Sequence, residues 1–109
     1  MKKKLSLLLC LVLLLLTGCG QIGSSIRFGA ADVGGMYYPF ASSYTGLVSK
    51  DNADYQFEVK STAGSAANLR LLSGNYIELG IAQNDFIDAA YSGTGIFKGN
   101  QCRGYKAIA

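Results

Sequence analysis

Tyr55-Gln56-Phe57-Glu58-Val59-Lys60-Ser61-Thr62-Ala63-Gly64-Ser65-Ala66-Ala67-Asn68-Leu69-Arg70-Leu71-Leu72-Ser73-Gly74 changes its period halfway along. Tyr55, Phe57 and Val59 alternate with Gln56, Glu58 and Lys60, the two-residue period of a strand. Ser65 then predicts a helix N-cap, Leu69 and Leu72 an apolar stripe, and Gly74 a stop. Ile77 to Ala82 reads as another strand, with Gly80 allowing close packing. Outward in the N-terminal direction, Ile26 to Ala31 predicts a strand running into a glycine turn at Gly34-Gly35. Pro39 fits the first turn of a helix, where its missing N–H costs nothing. Phe40, Tyr44, Leu47 and Val48 recur on one apolar helical face, and Asp51-Asn52 ends it. In the other direction a short helix starts near Asp85 and runs through Phe86, Ile87 and Ala90 to Tyr91. Ser92-Gly93-Thr94-Gly95 turns the chain, and Tyr105 to Ala109 opens a fourth strand. Strands alternating with helices predict an α/β protein, a mostly parallel sheet with helices on both faces.

The 109 residues suit one small domain and exclude a complete multidomain enzyme. Lys2, Lys3 and Lys4 account for the whole formal charge of +3, leaving seven Lys/Arg against seven Asp/Glu. A neutral body carries no basic stripe, so no nucleic acid is expected as a partner. The three lysines precede an apolar run from Leu5 to Leu16, too short to span about 30 Å of hydrocarbon but suited to an export signal. Leu16-Thr17-Gly18-Cys19 resembles a bacterial lipobox. That resemblance implies a signal peptide over residues 1–18 and a lipidated Cys19 at the new N-terminus. It further implies a tether over residues 19–25 and a membrane-anchored body over residues 26–109. Cys10 falls in the signal and Cys19 is acylated, so Cys102 is left without a disulfide partner, and the chain has no His. Cys/His catalysis and a His-based metal site are excluded on those grounds. A chain stopping on an apolar strand would leave ladder groups uncovered, which predicts the N-terminal portion of a longer domain.

Ligands of open parallel sheets sit where strands end and helices begin, and the sequence holds three such junctions. The first is Asp32-Val33-Gly34-Gly35-Met36-Tyr37-Tyr38-Pro39. Its glycines let backbone N–H groups approach a ligand, and its tyrosines offer a flat wall with hydroxyl donors. The competing reading is a tight turn with both tyrosines packed on the core. At the second, Thr62-Ala63-Gly64-Ser65, free N–H groups and two hydroxyls at a helix start favour a carboxylate or similar anion. There the alternative has Ser65 capping and Asn68 satisfying the first turn. The third is Gln83-Asn84-Asp85, where capping by Asn84 or Asp85 coexists with a ligand role. No Gly-Lys-Ser/Thr follows the glycines, and Gly34-Gly35 lacks dinucleotide spacing. No serine sits beside a base, so no catalytic residues, no cofactor and no enzymatic activity are expected.

Gly34-Gly35-Met36-Tyr37-Tyr38-Pro39, Ser61 to Leu72, and Leu79-Gly80-Ile81-Ala82-Gln83-Asn84-Asp85 together resemble the TAXI family, the substrate receptors of TRAP-type transporters. Tyr91 to Phe97 and Tyr105 to Ala109 match the family's continuation. The resemblance implies a periplasmic-binding-protein type II-like fold of two α/β lobes, of which these residues form part of the first. It implies a small organic anion or amino-acid-like ligand, held in the cleft and presented to a TRAP-type membrane permease driven by an ion gradient. Residue by residue, Gly35, Met36 and Tyr37 fall on the first binding loop, Thr62 and Ser65 on the second, and Gln83 and Asp85 on the third. The sequence departs from the family where Ala30-Ala31-Asp32-Val33 replaces a Gly-Thr-Gly-rich stretch and Ala63 replaces a common glycine. Asp32 sets a negative charge near the expected anion site. The expectation is a lipid-anchored extracytoplasmic receptor; the alternative is an exported lipoprotein fragment that binds nothing, since one lobe cannot clamp a ligand from both sides.

Overall fold

The computed structural model describes residues 1–3 and 24–108. The lipobox with Cys19, most of the tether and Ala109 lie outside the described residues. Six elements follow in order: β1 (Ile26–Gly29), α1 (Tyr37–Asp51), β2 (Phe57–Lys60), α2 (Ser65–Ser73), β3 (Leu79–Gly80) and α3 (Asn84–Ser92). A 3-10 turn at Gly95–Phe97 comes after them. The strands form a parallel sheet in the order β2-β1-β3, with Phe28 opposite Val59 and Leu79, and Gly29 opposite Lys60 and Gly80.

Alternation along β1 sends successive side chains to opposite faces, and the two faces are built differently. Phe28 and Ala30 pack with Ala41 of α1, joined by Tyr37, Tyr38, Val59, Leu79 and Ile81. On the other face the paired glycines Gly29 and Gly80 leave a flat bed for α2. A Cβ at Gly29 would lie 2.6 Å from Ile77 Cδ1 and 2.7 Å from Asn68 Oδ1, and one at Gly80 3.1 Å from Leu72 Cδ1. A second core, of Leu69, Ala90, Phe97 and Cys102, fastens α2 to α3. Leu69 and Phe97 are fully buried, each contributing about 2 kcal/mol of transfer free energy. Helices on both faces of a parallel sheet are what the alternating pattern predicts.

Three expectations need correction. The apolar stripe of α1 does not face the core: Phe40, Tyr44 and Leu47 are 60%, 43% and 67% exposed, and the buried positions are Ala41 and Thr45. Small residues let α1 approach the sheet closely, while Phe40 and Tyr44 stack on each other and Tyr44 meets Phe28 edge-on at the sheet margin. The strand expected from Ile77 to Ala82 is regular only at Leu79–Gly80, flanked by bonds from Glu78 N–H to Arg27 O and Ile81 N–H to Gly29 O, after which Ala82 packs toward the second core. Tyr105 to Ile108 joins no ladder. Tyr105 packs instead against the second core, and its hydroxyl, buried without a hydrogen-bond partner among the described residues, is held in the neutral form by burial and by the neighbouring Cys102.

Where β1 begins, Arg27 and Glu78 make a two-pronged ion pair. Arg27 Nη2 lies 2.5 Å from Glu78 Oε1 and its Nε 3.1 Å from Oε2, and the Arg27 backbone N–H donates to Oε2 at 2.7 Å. The guanidinium, and then the backbone N–H, hold the Glu78 carboxyl down at about 2. A depressed carboxyl contributes stability that is present above its ordinary value of 4.5 and lost as pH falls toward about 2. The effect is small because both partners are solvated. Thermal melts of wild type and Glu78→Gln should therefore converge across that acid interval; a constant gap down to pH 2 would discard the pair's contribution.

Candidate ligand site at the carboxyl end of the sheet

Because all three strands are parallel, their carboxyl ends deliver the junctions to one edge: Ala30 to Met36 after β1, Ser61 to Gly64 after β2, and Ile81 to Gln83 after β3. The second junction bonds to both others. Thr62 N–H donates to Ala31 O at 3.3 Å, and Gln83 N–H donates to Ser65 Oγ at 3.0 Å. Ser65 and Gln83 are thus bonded to each other, and Thr62 is tied to the first junction. Gly35, Met36 and Tyr37 reach the same edge without a hydrogen bond to them among the described residues.

The first junction is a turn closed by the Gly35 N–H to Asp32 O bond of 2.9 Å. Met36 is 87% exposed and stands at the N-cap of α1, with no side-chain bond to that helix's amides. Tyr37 and Tyr38 are half-buried against the first core, so the packed reading of the tyrosines holds for their rings. Asp85 is exposed in the first turn of α3, where its carboxylate already favours that helix terminus. Neither Asn84 nor Asp85 caps the helix, whose N-cap is Gln83.

α2 starts on a glycine. Its N-cap is Gly64, not the expected Ser65, at a φ of +93° that glycine adopts without strain. No side chain caps the helix, and its first turn holds no acidic residue. Ser65 is buried within that turn; its oxygen accepts from Gln83, leaving its own hydrogen to donate. Thr62 is more committed. Its hydroxyl lies 2.6 Å from Asn68 Oδ1 and 3.2 Å from Ala30 O, while its oxygen accepts from Gly64 N–H at 3.2 Å.

Asn68 is the residue that sequence reasoning misplaced. It does not serve the first turn of α2 but is fully buried, with Nδ2 donating to Ala30 O at 2.6 Å and to Ile81 O at 2.8 Å. A signal was present: asparagine is a poor residue for a helix interior unless its side chain has a specific partner, and here it stands beside Leu69 on the buried side.

Two hollows of about 430 and 290 Å³ lie along the outer edge of β3, lined by Leu72, Leu79, Tyr105 and Ile108 among others, and by none of the site residues above. Their walls are mostly apolar, with Lys106 at the margin of both and Asn75 and Glu78 in the larger. Among the described residues no three His, Cys, Asp or Glu side chains gather to hold a metal.

Residues 28–109 match the NMT1-like family. The chain belongs to the NMT1-like family. That membership brings an extracytoplasmic solute-binding function, with a small ligand and a membrane transporter as partners. It is a broader assignment than the TAXI resemblance.

Proposed function

We propose that this NMT1-like chain is the TAXI-type receptor of a TRAP-type transporter, anchored by lipidated Cys19 and taking a small carboxylate or amino acid for uptake. The open start of α2 carries this reading. Its amides have neither a capping side chain nor an acidic neighbour in the first turn, and the hydroxyl hydrogen of Ser65 is left to donate. A carboxylate there would be favoured by the helix dipole and by unpaired N–H groups together. Asp32 and Asp85 border the site, so they favour a ligand that also carries an ammonium group.

Calorimetric titration of the full chain in detergent with acetate, succinate, alanine and glutamate tests the reading. Ala63 is exposed, and Ala63→Asp would put a competing carboxylate beside the same amides without disturbing packing. Affinity for whichever acid binds should fall at least tenfold, about 1.4 kcal/mol. Undiminished affinity would remove the α2 terminus from the site. For the anchor, Cys19→Ser should move the exported protein from the detergent phase to the aqueous phase of a phase-separation assay.

One observation favours a second reading, an exported lipoprotein fragment that binds nothing: the hydroxyl of Thr62 is occupied within the scaffold. Absence of heat with all four acids would support it.

A further inference from the structure

We infer that Asn68 is a positioning residue that locks the three junctions at the carboxyl end of the sheet into one unit. Its consequence for ligand affinity rests on the receptor reading above; the lock itself does not.

The amide of Asn68 has two donors and an acceptor, and each meets a different junction. The two Nδ2 hydrogens go to Ala30 O after β1 and Ile81 O after β3, at 2.6 and 2.8 Å, and Oδ1 takes the Thr62 hydroxyl after β2 at 2.6 Å. This fixes the amide's orientation, since a flipped group would turn its oxygen toward two carbonyls. Among the described residues the other direct ties are Thr62 N–H to Ala31 O, the Thr62 hydroxyl 3.2 Å from Ala30 O, and Gln83 N–H to Ser65 Oγ. The sheet makes room for the lock by placing Gly29 and Gly80 side by side beneath it. No other side chain type supplies the same set. Aspartate would set a carboxylate against two carbonyl oxygens, and glutamine is one methylene longer in a space where Gly29 already leaves no room for a Cβ. None of the groups in contact with the amide titrates: Ala30 O, Ile81 O, the Thr62 hydroxyl, Gly29 and Gly80.

The test is amide hydrogen exchange on the full chain in detergent, comparing wild type with Asn68→Asp at pH 5 and pH 8 after correction for intrinsic rates. Burial and the facing carbonyls raise the introduced carboxyl's pKa. At pH 5 it keeps a proton and donates one bond; at pH 8 it is driven toward the charged form. Exchange at Thr62, Gly64 and Gln83 should rise at least tenfold at pH 8 and return most of the way at pH 5. The amides of Ile26 and Glu78, bonded to Gln56 O and Arg27 O at the opposite end of the sheet, should stay near wild type. Loosening that is equal at both ends, confined to one junction, or independent of pH would overturn the lock.

Should Asn68→Asp fail to fold, Thr62→Val leaves the Asn68 amide in place and removes the hydroxyl that meets Oδ1, Ala30 O and Gly64 N–H. Gly64 loses its own partner in that variant, so Gln83 is the deciding amide: faster exchange there supports the lock, and unchanged exchange refutes it. Where wild type binds one of the four acids, its affinity in Asn68→Asp should follow the exchange rates across pH. Where wild type binds none, the receptor reading fails while exchange still decides the lock.

Discussion

Asn68→Leu will lower the free energy of unfolding by about 3 kcal/mol. Leucine shares asparagine's branching and leaves no cavity, but its bulkier methyls would meet three oxygens now held at hydrogen-bond distance, so overpacking adds to the lost bonds. Three groups lose their partner together: Ala30 O, Ile81 O and the Thr62 hydroxyl. Each buried polar group left unmatched costs about 1–3 kcal/mol. Thr62 can turn its hydroxyl to Ala30 O, 3.2 Å away, which re-pairs two of the three groups and leaves Ile81 O and the crowding of the methyls to carry the loss. Urea unfolding followed by far-UV circular dichroism measures it. A midpoint shift worth less than about 1 kcal/mol would mean that water replaces the amide at this depth.

The second large effect is steric. Gly29 has no positive φ, so alanine meets no backbone objection there, only a spatial one. Its methyl would lie 2.6 Å from Ile77 Cδ1 and 2.7 Å from Asn68 Oδ1. The tip of Ile77 can yield, but Asn68 is held by three bonds, so Gly29→Ala should cost about 2 kcal/mol as overpacking. The decisive measurement is a double-mutant cycle. Asn68→Ala empties the space the methyl needs, so the two losses should combine to less than their sum by at least about 0.5 kcal/mol. Strict additivity would show that Gly29 answers to Ile77 alone.

Much of the fold was legible because it follows from periods that local chemistry imposes. The switch from alternation at Tyr55–Lys60 to helical spacing after Ser65, and the stop at Gly74, locate β2 and α2 closely. Pro39 does fall in the first turn of α1. The apolar stripe of the same helix misled, since periodicity says which residues share a face and not which face the sheet takes. Ala41 and Thr45 won the core side by being small. The strand expected from Tyr105 failed for a related reason. An apolar run is compatible with a ladder or with a core, and Tyr105 found the core.

The three junctions were legible as loops; Ser65 and Gln83 bond to each other, and Thr62 is tied to the first junction. Which of their polar atoms are free was not legible. Ser65 was expected to cap α2, yet it bonds across to Gln83 while Gly64 takes the N-cap position. The choice depends on how closely α2 approaches β3, a distance set by Gly80 and Gly29 from other parts of the chain.

By itself, then, the sequence determined the order of strands and helices, the small-residue junctions and the charge balance, each a property of neighbouring residues. Only the tertiary structure decided that Asn68 serves three junctions at once and that Phe40, Tyr44 and Leu47 stay exposed. Hydrogen-bond partners and burial are set by residues distant along the chain, and no local period encodes them.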